Sequence, residues 1–339
     1  MKKLVLLATV LLVSATFTYA QFQFTSIDYP GGFGTRVRGI NNHGQMVGEY
    51  TDQYGNYHAL LIKDGKFIPL APGTILGNEF SDAFKINDRG DVVGWVCDLV
   101  ACHGFLLRKG VLTILDFPGA SDTYASGINE SGTIVGAWDL YDSSGNFLYE
   151  QGFTWKDGNF TEVTFPGSGD TYPFGINARG DFVGGWDAGP TSTTGHGFVF
   201  SQGQFLSFDA PIPDFCITQA DGISATGKIV GQYYSISDCA GGGLTGHGFL
   251  KVGDTFTSIN YPGAVLTTGW GINSRGQMVG AWYDSSLTAH GWLAQGDQGK
   301  PLSLKGPGLG RSKTTPSVRH TTSLGRQAAV PTRAQRMSQ

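Results

Sequence analysis

One phrase recurs six times along this chain, and that repetition constrains its fold more than any other feature. The copies are GINNHGQMVG (39–48), KINDRGDVVG (85–94), GINESGTIVG (127–136), GINARGDFVG (175–184), GISATGKIVG (222–231) and GINSRGQMVG (271–280). Their third residues, Asn41, Asn87, Asn129, Asn177, Ser224 and Asn273, are spaced by 46, 42, 48, 47 and 49 residues. A period in the forties matches a four-stranded propeller blade, a unit that cannot bury its apolar face without neighbours.

Each copy continues alike. An aromatic strand end and a polar loop follow the VG, and then a second signature: HAL (58–60), HGF (103–105), QGF (151–153), HGF (196–198), HGF (247–249) and HGW (290–292). A Gly-containing turn, an alternating strand and a Pro-Gly loop lead into the next copy. Four strands per unit follow. In I-N-x-x-G, Asn at the first turn position bonds its own backbone and Gly at the fourth suits a type I turn. Ser224 takes the Asn position once, which speaks for a turn former and against a catalytic amide.

The two ends are out of phase with the repeat. Counted from Gln21, the chain opens on a fourth strand, FTSIDYPG (24–31), and its last copy stops at a third strand near 290–296. FTSIDYPG matches FTSINYPG (256–263) at seven of eight positions. The expected fold is therefore all-β: a six-bladed β-propeller, four antiparallel strands per blade, closed by the N-terminal strand. Closure of this kind leaves no inner blade edge open to aggregation.

The pattern GINxxGxxVGxY, then HGFL, then DxPGA resembles the HAF family of probable extracellular repeat proteins, over residues 24–296. The resemblance implies an exported bacterial repeat protein. It supplies no catalytic residues to carry over. Many relatives carry a C-terminal sorting segment, from which this chain departs.

Residues 1–20 read as a signal peptide. Lys2 and Lys3 precede an apolar run over Leu4–Val13, and Thr18-Tyr19-Ala20 places cleavage after Ala20. The run is too short to span a bilayer, and no other stretch is apolar enough for a membrane span. A secreted or periplasmic location follows. Residues 21–296, the propeller, carry 13 basic and 26 acidic residues. Residues 297–339 carry eight Lys/Arg and one acid, and read as a basic disordered tail. So acidic a body lacks the clustered cations that nucleic acid requires. Cys97, Cys102, Cys216 and Cys239 suit two disulfides in an exported protein, paired 97–102 and 216–239 because each pair shares one face of the expected topology.

Function is less sharply written. One His per unit, at 58, 103, 196, 247 and 290, with Gln151 in the remaining unit, points to hydrogen bonding to backbone within each blade. No HExxH, nucleophile elbow or phosphate-cradling loop occurs, and no metal site is expected. The loop face of the expected propeller collects an aromatic and an acid from each blade. Tyr50, Trp138, Asp142, Trp186, Asp187, Tyr233, Asp238 and Trp282 are the candidate binding residues there. Rings stack on sugar faces and acids accept hydroxyl bonds. The same acids could hold Ca²⁺, and packing of the repeated aromatics between blades is the competing account. The longest insertions, 139–150, 187–195 and 234–246, fall on three consecutive blades of this face. The favoured function is a non-enzymatic, monomeric binding or interaction module for extracellular polysaccharide or a surface protein. The alternatives are a carbohydrate-active enzyme pairing Asp142 with Asp187 or Asp238, and a purely structural envelope protein.

Overall fold

The computed structural model describes residues 16–18, 22–70, 72, 80–240 and 245–295. Most of the expected signal peptide and all of the expected tail at 297–339 lie outside these residues. Within them the chain is almost wholly β-strand, with one short helix at Ile236–Ala240. The first unit sets the pattern: Gly34–Ile40, Met46–Thr51, Tyr57–Lys63 and Lys66–Pro69 pair antiparallel in sequence order. The second unit, from Ser81 to Leu115, and the third, from Asp122 to Val163, form equivalent four-stranded sheets.

In a fourth sheet of this kind, Leu266–Ile272, Gln277–Tyr283 and Ala289–Gln295 are completed by Gln23–Ile27, antiparallel to Ala289–Gln295. The remaining nine strands form one sheet. It contains the fourth and fifth units, joined at a single parallel pair, Gly195 with Ile217. Thr16–Thr18, inside the expected targeting segment, lies parallel to Thr255–Ile259 at that sheet's edge. The fold is all-β and propeller-like.

Burial follows strand position. A first strand such as Gly34–Ile40 is buried along most of its length, whereas a fourth strand such as Asn159–Val163 has no fully buried residue. The apolar clusters lie between successive units. Val47 and Ala59 meet Ala83 and Phe105; Val93 and Leu106 meet Ala125 and Phe153; Val135 meets Phe182 and Phe198. One cluster joins Val279 and Leu293 of the sixth unit to Val37 and Leu60 of the first. Each of these clusters is shared by two neighbouring units, as the packing of twisted sheets requires.

The repeated phrase has a double use. Asn41 Oδ1 accepts from the backbone N–H of His43 and Gln45, both at 3.0 Å, closing the turn as the sequence suggests. Its Nδ2 then donates to the carbonyl of Asn87 at 3.0 Å. Asn87 reaches Asn129, Asn129 reaches Asn177, Asn177 reaches Ser224, and Asn273 reaches Asn41. The serine hydroxyl of Ser224 bonds Lys228 N and Thr226 instead.

The glycines of the VG dipeptide have a steric cause. A Cβ on Gly94 would lie 1.9 Å from the Asp82 carbonyl oxygen, and one on Gly48 1.9 Å from that of Arg36. That crowding comes from a β-bulge in every first strand. The register skips Arg38, Phe84, Ser126, Phe174, Asp221 and Trp270, one residue per unit. A bulge re-aims the extra side chain.

Candidate functional site

The two ends of the sheets differ in charge. One face carries the loops between second and third strands and the unit-to-unit connections. Among the described residues it presents fourteen carboxylates and no lysine or arginine. The opposite face carries the turns between first and second and between third and fourth strands, and ten of the thirteen described Lys/Arg. The other three, Arg36, Arg38 and Lys85, are interior.

On the loop face five units build a similar cassette, whereas in the second unit Val96 takes the aromatic's place opposite His103. Trp186 stacks on Phe165 from the preceding connection at 4.4 Å and on His196 at 4.6 Å, and its Nε1 donates to Ser207 at 2.9 Å. Trp282 lies between Tyr261 and His290, each at 4.3 Å, and donates to Ser26. Tyr50 lies between Tyr29 and His58. Trp138, buried, stacks on Phe117 at 4.6 Å. The Tyr233 ring lies by His247, and its hydroxyl contacts Ser258.

The acids close their own loops. Asp142 accepts from Ser144 N, Asn146 N and Asn146 Nδ2. Asp187 is buried and accepts from the Tyr172 hydroxyl and Gly189 N. Asp238 sits in the Ile236–Ala240 helix, bonded to Ser235 and Thr245. The eight candidate residues therefore stand in separate cassettes distributed over five units, each held by its own neighbours, and do not converge.

The histidines differ from expectation. They pair with side chains and not with backbone: His58 with Asp52 at 3.0 Å, His103 with Asp116 at 2.8 Å, His196 with Asp209 at 2.9 Å, His247 with Asn260 at 2.8 Å and His290 with Asp28 at 2.7 Å. Four of these partners, Asp116, Asp209, Asn260 and Asp28, begin the connection after a fourth strand. Gln151 keeps the backbone bond, donating to Gly169 O at 2.6 Å. For Asp52, burial would raise the carboxyl pKa. The hydrogen bonds from His58 and from the N–H groups of Asn56 and Tyr54 outweigh it and hold the pKa down at about 2.

Both cysteine pairs form as expected: Cys97–Cys102, with Cα atoms 3.9 Å apart, and Cys216–Cys239, at 6.5 Å. The second ties the 234–246 insertion to the first strand of its own unit, Phe215–Ile223.

Convergence happens in the interior, where the first strands meet. Six isoleucines, Ile40, Ile86, Ile128, Ile176, Ile223 and Ile272, one from each unit, line a cavity of about 70 Å³ together with Lys85. Close to it the bulged residues gather. The Arg38 guanidinium lies 4.2 Å from the Trp270 ring and 5.2 Å from Phe84, and its Nε donates to Asp82 at 2.8 Å. Arg36 binds Glu49 at 2.6 Å and the Tyr283 hydroxyl at 3.0 Å, with Tyr57 also beside it. Lys85 Nζ donates to the Arg38 carbonyl at 3.3 Å. Gln219 Nε2 donates to Asp221 at 2.7 Å.

Burial pushes the Asp82 carboxyl up, with Arg38 opposing, and pushes the Lys85 ammonium down, with Asp221 opposing. Asp82 Oδ1 is buried without a hydrogen-bond partner. Arg36 and Arg38 keep 16% and 22% of their side-chain surface exposed.

The candidate list from sequence contains none of these residues. The signal was present in the repeats: Lys85 stands where the other five copies have Gly, and the residue just before the phrase takes five identities in six units, with Phe twice.

No protein-family model matches the chain, and no curated protein matches it. Among solved structures, the chain is similar to Aleuria aurantia lectin in complex with alpha-methyl-L-fucoside, at 12% identity and TM-score 0.47, covering 79% of this chain and 93% of the lectin. It is also similar to a mutant of AofleA from Arthrobotrys oligospora, at 13% identity and TM-score 0.47, covering 81% and 87%. A gluconolactonase from Xanthomonas campestris matches at 12% identity and TM-score 0.45, covering 84% and 99%. At these values no function passes from them to this chain.

Proposed function

We propose that this chain is an exported, non-enzymatic propeller of six blades, closed by its N-terminal strand, that binds a neutral extracellular glycan. Closure is supported by the pairing of Gln23–Ile27 with Ala289–Gln295, by the bond from Asn273 to Asn41, and by the cavity that six units line together. Export, and kinship with the HAF-type repeat proteins, rest on the sequence motifs at residues 1–20 and 24–296.

The observation that carries the binding function is the set of bulged positions. The backbone repeats there six times, yet the side chains are Arg38, Phe84, Ser126, Phe174, Asp221 and Trp270. A site that served packing alone would repeat, as the loop-face cassettes do. Buried ionic groups cost desolvation energy and do not stabilise a fold by themselves.

The ligand class follows from the open valences. Lys85 has donors beyond its one long contact, the Arg36 and Arg38 side chains keep some exposed surface, and aromatic rings stand beside them. A sugar hydroxyl can accept from these cations, and a sugar face can stack on the rings.

The test is thermal unfolding of the full chain against a panel of soluble neutral polysaccharides. A ligand at 100 times its Kd stabilises by ~2.7 kcal/mol. Lys85→Gly, which installs the residue the other units use, should keep the fold and lose the shift. A shift that Lys85→Gly and Trp270→Phe both leave intact would remove the interior from the binding site, and no shift with any glycan would remove the function.

A further inference from the structure

We propose a second docking surface, on the face opposite the loops, for an acidic polysaccharide. The exposed cations Lys63, Lys66, Lys109, Lys228 and Arg275 all lie at the turns of this face, and none has a carboxylate within ion-pair distance among the described residues. The acids that would cancel them are partly consumed. Asp91 is buried and held by Arg89 and Arg108, and Asp181 is buried and held by Arg179. Asp88 accepts from Asn42, and Glu130 accepts from Asp88 N. Only the hairpin residues Asp64, Asp157 and Asp254 remain as exposed acids at the turns.

A groove of about 550 Å³ between the first and second units, lined by His43, Lys63 and Arg89 along with Asp64 and Asp88, gives a polymer somewhere to lie.

The occupant is a polymer and not a bilayer, because among the described residues no aromatic is exposed at these turns, and the exposed Ile68 and Leu206 lie apart on the fourth strands of different units. Val111 and Val252 are the large apolar side chains exposed at these turns, whereas Phe33, Tyr54, Leu99, Val100, Ile236 and Leu287 are exposed on the other face. Duplex nucleic acid carries one charge per ~1.7 Å, and the interleaved hairpin acids oppose so dense a phosphate array more than a polymer with one carboxylate per sugar.

The experiment passes the full chain over immobilised alginate, dextran, duplex DNA and phosphatidylglycerol vesicles at low and moderate salt. Alginate should retain it most strongly, with retention falling roughly tenfold or more as salt rises. Full-chain Lys63→Gln/Lys66→Gln/Lys109→Gln/Lys228→Gln/Arg275→Gln should lose about tenfold on alginate with an unchanged melting curve. The corresponding Lys→Arg set should bind like the parent, which guards against a folding artefact. Three results would overturn the proposal: no retention on alginate, tighter binding to DNA or vesicles than to alginate, or unchanged retention of the glutamine variant, which would leave the tail as the only adhesive. Interior variants such as Lys85→Gly should leave alginate retention untouched, so this surface can fail or stand apart from the glycan site.

Discussion

The loop-face cassette recurs in five units and the bulged position in all six, on nearly the same backbone, and their side chains are distributed in opposite ways. At the cassette the chemistry recurs: an aromatic against a neighbouring ring, a histidine or both, and an acid closing its loop. Its polar atoms are largely spent on one another. At the bulge the geometry is copied and the chemistry is not. Repetition of a side chain around the fold marks what every sheet needs from its neighbour. Divergence at a repeated geometry marks what the whole molecule needs once.

That contrast can be broken experimentally. The largest effect should come from Asp82→Ala, which leaves the buried Arg38 without its 2.8 Å partner. Loss of one member of a buried pair costs about 3–5 kcal/mol, readable by urea denaturation. An equal cost for Asp142→Ala, an exposed cassette acid, would erase the distinction between the regions. Next, Gly280→Ala should cost about 1–3 kcal/mol, or more, because its Cβ would meet the Thr268 carbonyl at 1.9 Å. Gly263, left-handed but with open space about it, gives the matched control for steric crowding.

A smaller effect is expected at Ser224. Ser224→Asn restores the amide that the other five units use to reach the next carbonyl, and should add about 0.5–1.5 kcal/mol, the net value of one hydrogen bond.

The smallest effect is in pH. Burial would lower the His103 pKa, but Asp116 and then Asp98 outweigh it and raise it above the ordinary imidazole value. A raised pKa in the folded state stabilises below the unfolded value of about 6.5, and the contribution fades as pH rises through the folded pKa. His103→Gln, which copies unit three, should therefore lower the melting point at pH 5.5 more than at pH 8.5. The same loss at both values would mean that the histidine acts by packing alone.

Much of this architecture is legible in the sequence, for a stated reason. The period, the I-N-x-x-G turn and the out-of-phase ends are written in residues whose roles are local, and local geometry repeats wherever the residues do. Cys216 and Cys239 could be paired because topology alone puts their loops on one face. The bulge was not legible: alternation of apolar residues does not reveal one extra residue in a strand already buried on both sides. Without it Arg38 and Trp270 look like ordinary strand positions. The histidine partners were hidden too, since Asp116 and Asp209 look like turn formers until the fourth strand ends beside the third. Trp138 and Trp186 illustrate a limit of composition. Both are the right residue for sugar stacking, and both already have rings against them.

The pairing of Gln23–Ile27 with Ala289–Gln295 also sets the order in which the molecule can come into being. One sheet draws its outer strand from the beginning of the chain and its other three from the end, a contact of very high sequence separation. During synthesis that first strand must wait, unpartnered in its own sheet, until almost the whole sequence has been made. The early units can pack on one another as they appear, yet the clasp between the ends is available only last. A chain arranged in this way delays its final cooperative step until nearly all of it is available.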